Sequence, residues 1–159
     1  MPSKIGPGGR RGFTLLELMI SVMIVGAIAV LSIPAFSSFM LSWKLKGEAQ
    51  QLAAALRAAR SAAVMKNINT VFTFNPNDRT YSYFEDNDRD GARDSNEFQS
   101  ATYRLVPQVV IAAHTLPGTS LTFGPMGNTR VDGSLTLRAA HNRIKTIRVY
   151  GGTGNVTID

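Results

Sequence analysis

Twelve consecutive residues, Asp86 to Glu97 (DNDRDGARDSNE), hold the densest chemistry in the chain. Counted from Asp86 as position 1, carboxylates stand at 1, 3, 5, 9 and 12 (Asp86, Asp88, Asp90, Asp94, Glu97), glycine at 6 (Gly91), and Ala92 at 7 offers a backbone carbonyl. Every ligand slot of an EF-hand-type calcium loop is thereby filled: a hard cation gathers six to eight oxygens, and the glycine permits the sharp turn. Without a cation, five acidic groups in so short a stretch repel one another. Position 8 is Arg93 rather than an apolar residue, and the flanks read as strands, so the expectation is a single calcium-type loop on a hairpin. The alternative is a solvated acidic turn, partly neutralised by Arg89 and Arg93.

Glu17 stands out by isolation, as the single charge in the apolar run from Phe13 to Met40. A carboxylate inside hydrocarbon is costly and usually marks a functional partner, whereas one near the interface snorkels to water; five residues into the run, Glu17 fits both. Few other residues invite catalytic chemistry. The absence of cysteine excludes disulfide frameworks, thiolate nucleophiles and Cys-ligated metals. His114 and His141 are isolated, without H-E-x-x-H spacing, and Gly152-Thr153-Gly154 opens no helix, so it is no phosphate-binding turn. An enzyme is not expected.

The elements that must position these residues are legible from composition and period. The 159 residues, 44% hydrophobic with a formal charge of +6, suit one modest domain, yet the average conceals a split. Residues 1–12 carry Lys4, Arg10 and Arg11 among two prolines and four glycines, a poor helix former. The 28 residues from Phe13 to Met40 exceed the roughly 20 that an α-helix needs to cross a bilayer. The preceding cations predict a cytoplasmic N-terminus, with the remainder on the far side. A cleaved secretory signal is disfavoured, because its apolar stretch is shorter and ends at a cleavage site, whereas this run continues into a helical pattern.

Leu45, Ala49, Leu52, Leu56, Ala59 and Ala63 recur at steps of 4, 3, 4, 3 and 4, which extends the helix amphipathically to Lys66, a length of about 80 Å from Phe13. Gly26 and Pro34 admit a bend, and Trp43 suits either a membrane-interface belt or helix packing. Thr70 to Phe74 and Thr80 to Phe84 flank the turn Asn75-Pro76-Asn77-Asp78 and predict a hairpin. Further strands are expected at Phe98 to Val106, Val109 to Ala112, Ser120 to Phe123, Gly133 to Leu137, Lys145 to Tyr150 and Asn155 to Ile158. The predicted fold is α+β, a long N-terminal α-helix packed on an antiparallel β-sheet or small β-sandwich. Its parts are a leader (1–12), a transmembrane or assembly helix (13–40), an amphipathic continuation (41–67) and a β-rich domain (68–159).

Gly12-Phe13-Thr14-Leu15-Leu16-Glu17, behind a short basic leader and before an apolar helix, resembles the class III signal of type IV pilins and type II secretion pseudopilins. Leu121 to Gly127, then Gly133 to Leu137, Ile147 to Tyr150 and the strand after Gly154 are similar to the GspH/FimT branch of minor pilins and pseudopilins. The resemblance implies a type IV pilin-like fold, cleavage by prepilin peptidase between Gly12 and Phe13, N-methylation of Phe13, and pairing of Glu17 with the Phe13 amine of a neighbouring subunit. It further implies assembly into, or initiation of, a type IV pilus or type II secretion pseudopilus. The implied partners are other pilin or pseudopilin subunits, the peptidase/N-methyltransferase, an assembly platform and the inner membrane, crossed once with the C-terminal domain periplasmic.

Relatives that bind DNA carry Gly-Arg-x-Arg in the closing strand, where this chain has Gly154-Asn155-Val156-Thr157 and neither arginine. From Phe98 onward six cations face two anions, so Arg143, Lys145 and Arg148 remain as candidate phosphate contacts, although a solvated or subunit-facing surface is the commoner use of such charges. Two alternatives stay open beside the assembly subunit: a DNA- or ligand-binding minor pilin, and an unprocessed bitopic membrane protein.

Overall fold

The computed structural model describes residues 12–159; the leader cations Lys4, Arg10 and Arg11 and the side chain of Pro34 lie outside the described residues. A single helix, α1 (Leu15–Lys66), precedes eight strands. The chain divides into two units, residues up to Ser38 and Phe39–Asp159, and α1 contributes to both.

In the first unit the apolar side chains of α1 are exposed, from Leu15 through Ile33. The two serine hydroxyls within this stretch are satisfied by the helix itself. Ser21 Oγ donates to the Glu17 carbonyl at 2.7 Å and Ser32 Oγ to the Ile28 carbonyl at 2.8 Å, the i−4 back-bonding that lets a hydroxyl sit on a helix in an apolar medium. Among the described residues this is one helix long and apolar enough to cross a membrane.

In the second unit the predicted stripe is the buried one: Leu45, Ala49, Leu52, Leu56, Ala59 and Ala63 are each at most 3% exposed. Two four-stranded antiparallel sheets supply the rest of the core. One has the order β3-β2-β1-β5, with β1 (Asn69–Asn75), β2 (Thr80–Asp86), β3 (Tyr103–Arg104) and β5 (Ser120–Phe123). The other has the order β4-β6-β7-β8, with β4 (Val109–His114), β6 (Gly133–Ala139), β7 (Arg143–Tyr150) and β8 (Asn155–Ile158). Alternate residues of β6 and β7 turn inward, as in Leu135, Leu137, Ile147 and Val149, and join Phe72, Phe123 and the helical stripe in one cluster. The expected hairpin is β1–β2, whose turn is held by Asn75 Oδ1 accepting the N–H groups of Asn77 and Asp78.

The strand expected over Phe98 to Val106 is a correction. Only Tyr103–Arg104 pairs as a strand, with one isolated bridge between Gln99 and Phe84. Tyr83 N–H, a donor the ladder would use, is taken at 3.0 Å by Ser100 Oγ, so a side chain displaces the regular pairing.

Glu48 is a buried carboxylate inside the helical stripe, 9% exposed. Burial raises its carboxyl above the ordinary 4.5, opposed in part by the Val106 backbone N–H. A raised native value means the folded state holds the proton more firmly than the unfolded chain. Its contribution to stability is therefore greatest at low pH and is lost as pH rises from 4.5 through the native value. Thermal melts should show Glu48→Gln gaining on the wild type between about pH 4 and pH 7; a difference independent of pH would count against burial as the cause.

Candidate functional site

The N-terminal determinant is built at the first turn of α1. Gly12, Phe13 and Thr14 precede the helix, and Thr14 Oγ1 accepts the Glu17 N–H at 3.2 Å while the Thr14 carbonyl accepts the Leu18 N–H. Thr14 is thus the N-cap and Glu17 the third helical residue, the spacing of a capping box. That T-x-x-E signal at 14–17 was open to sequence reading and fixes where the helix starts. The Glu17 side chain is exposed, with no hydrogen-bond or ion-pair partner among the described residues, and its carboxylate lies at the helix end whose dipole favours negative charge. The geometry leaves an anion on the rim of an apolar cylinder, directly after the Gly12–Phe13 bond.

The acidic loop leaves the end of β2 and returns along it. Glu85 N–H donates to the Phe98 carbonyl at 2.9 Å, which closes the loop behind Asp86 and Glu97. Of the six ligands expected, Asp86, Asp88 and Glu97 converge, one oxygen from each lying within 4.8 Å of the other two. Asp90 and Asp94 stand outside that group. Asp90 Oδ1 accepts the Ala92 N–H at 2.7 Å, and the Asp94 N–H donates to Glu97 Oε2 at 3.1 Å. Gly91 has φ +78°, the left-handed turn the motif requires, and Arg89 shares that region at +66°. Burial pushes the Asp86 carboxyl up; the N–H groups of Arg89 and Gly91 pull it back, and Glu97 and Asp88 beside it push it further up. Behind the loop, Lys66 at the end of α1 holds the buried Glu85 carboxylate at 2.7 Å.

The three candidate phosphate contacts do not form one face. Residues an odd number of positions apart on a strand point to opposite sides of the sheet, and the β6–β7 register runs without a bulge through the segment, so Arg148 projects away from the side of Arg143 and Lys145. Arg148 Nε is paired with Asp159 at 2.6 Å. His114 is exposed, its ring against Phe74 with centroids 5.0 Å apart, and His141 sits in the β6–β7 turn at φ +58°.

Sequence reasoning missed two arginines. Arg57 Nη2 donates to the Val156 carbonyl at 2.9 Å and Arg60 Nε to the Gly127 carbonyl at 3.0 Å, tying the helix to β8 and to the turn after β5. Partners so distant along the chain leave no local pattern to read.

Comparison with known proteins gives matches at both ends. Residues 48–153 match the family model of type II transport protein GspH, and residues 8–33 match that of the prokaryotic N-terminal methylation motif. Among solved structures, the type IV minor pilin FimU of Pseudomonas aeruginosa superposes with a TM-score of 0.59 at 15% identity, covering 76% of this chain and 92% of that one. The minor pseudopilin EpsH of the Vibrio cholerae type 2 secretion system gives 0.58 at 12%, covering 73% and 96%. At these identities the likeness concerns the fold. A Pseudomonas aeruginosa fimbrial protein is 31% identical over 72 residues, a match spanning 45% of this chain and 46% of that protein.

Proposed function

The chain belongs to the family of the type II transport protein GspH, a family of minor pilins and pseudopilins, and from that premise we propose that it is cut between Gly12 and Phe13, N-methylated on Phe13 and built through α1 into a filament or its initiating complex. The observation that carries this reading is the methylation motif running directly into a bare apolar helix with one carboxylate at its rim. Before assembly the helix anchors the subunit in the inner membrane. Lys4, Arg10 and Arg11 hold the N-terminus in the cytoplasm, where the peptidase reaches the Gly12–Phe13 bond, and the β-rich domain lies in the periplasm.

In the filament the apolar side chains of α1 exchange lipid for neighbouring helices. Glu17 then loses access to water and pairs with the Phe13 amine of an adjacent subunit, so that one axial register satisfies both charges and other registers leave them bare. The role is structural rather than catalytic. Its partners are other pilin or pseudopilin subunits, the peptidase/N-methyltransferase and an assembly platform.

Intact mass of the protein recovered from its native membrane tests the processing step. The expected species lacks residues 1–12 and carries one added methyl group. Recovery of the unprocessed chain alone would identify a bitopic membrane protein and end this reading.

A further inference from the structure

The acidic loop is not used by assembly through α1, and its arrangement points to a ligand. Asp86 is 1% exposed and Glu97 6%, so two of the three converging carboxylates are held away from water. Asp86 Oδ2 accepts the Gly91 N–H at 3.2 Å, but Asp86 Oδ1 is buried with no hydrogen-bond partner. An orphaned carboxylate oxygen beside two further carboxylates is among the costlier arrangements a fold can hold. Arg89 and Arg93 do not relieve it, since among the described residues no ion pair joins either to these acids. The buried oxygen of Asp86 is therefore not compensated by a contact to the arginines of its own loop.

We propose that Asp86, Asp88 and Glu97 hold one calcium ion. Calcium takes oxygens at about 2.3–2.6 Å, so opposite ligands stand up to about 5 Å apart, the spread these three oxygens share; magnesium, at about 2.0–2.1 Å with strict octahedral demands, fits it less well. Asp88 is exposed and lines the open side, where water completes the shell together with loop carbonyls. A cleft of about 340 Å³ beside the loop, lined in part by Asp86, Asp90, Gly91 and Asn128, leaves room for that water and for entry of the ion. The cation joins Asp86 to Glu97 and so pins the two ends of the twelve-residue loop, with Arg89 and Arg93 exposed between them.

The test uses the full chain in detergent micelles after chelator treatment, with calcium and magnesium chloride as the probes in titration calorimetry. One calcium per chain is expected, with Kd of about 1 mM or tighter and at least about tenfold preference over magnesium. Asp88→Asn keeps an oxygen for the Asp90 N–H that Asp88 Oδ1 now accepts, and lies in the exposed part of the loop, so it should fold; it is expected to weaken binding by about fivefold or more. Trypsin cleavage after Arg89 and Arg93 should slow in calcium and not in magnesium. No uptake at about 5 mM calcium, a smaller loss in Asp88→Asn, or cleavage indifferent to calcium would each overturn the site. Neither readout needs processing or filament assembly, so failure here is separable from failure of the assembly reading.

Discussion

Replacing Glu17 by alanine is expected to leave the subunit in the membrane and to remove it from filaments, with a loss of more than about tenfold in the sheared fraction. The size follows from the asymmetry of buried pairs, because deleting one partner of the proposed pair would strand the Phe13 amine without a counter-charge, at about 3–5 kcal/mol. The helix itself should survive. Thr14 caps α1 through the Glu17 backbone N–H, which alanine retains, so insertion and helicity are unchanged. Glu17→Gln separates charge from shape: it keeps length and hydrogen-bonding capacity, and should fail like alanine if pairing drives assembly. Immunoblots of filament and membrane fractions read the outcome, and wild-type incorporation of either variant would remove the pairing mechanism.

Gly154→Ala should be nearly as damaging, by another route. Gly154 has φ +62°, and a Cβ there would enter the space of the Gly127 carbonyl, the oxygen that accepts the Arg60 Nε–H. Gly127 is itself at φ +74°, and an added Cβ would press on Val64 and Arg60. Two turns thus meet the helix through bare backbone, and no rotamer change relieves a clash between main chains. The left-handed penalty and the overpacking together cost about 3–5 kcal/mol, a fall of more than about 10 °C in Tm. Gly152→Ala is the control, since nothing lies within 4 Å of its Cβ position and the change should be within about 0.5 kcal/mol of neutral. If Gly154→Ala melts with the wild type, the close approach of the turns is not what the domain depends on.

The parts of the fold governed by local period were readable before the structure. The buried stripe from Leu45 to Ala63 emerged because 3.6-residue spacing is a property of neighbours in sequence, and β5 and β8 ended where turn residues flank alternating side chains. The division of strands between two sheets was not readable, because pairing such as β1 with β5 joins segments some fifty residues apart. The segment after Glu97 failed for a chemical reason: Ser100 Oγ competes for a ladder donor, and propensity does not register that competition. At the acidic loop the spacing named six ligands, and the fold brings three of their carboxylates together, Asp86, Asp88 and Glu97. Asp90 and Asp94 stand outside the converging group: Asp90 Oδ1 accepts a backbone N–H, and the Asp94 backbone is tied to Glu97. The cost that Asp86 carries, an oxygen sealed from water, belongs to the folded state alone.

The hydroxyls of Ser21 and Ser32, spent on their own helix, bear on how a mixed population of subunits sorts itself. Where those hydroxyls are spent, the helix offers a proposed neighbour hydrocarbon and one carboxylate, a vocabulary too small to distinguish one kind of subunit from another. In the assembly proposed above, the apolar segment would set how far a subunit slides, while the recognition of which subunit stands beside it would fall to the part of the chain beyond Phe39.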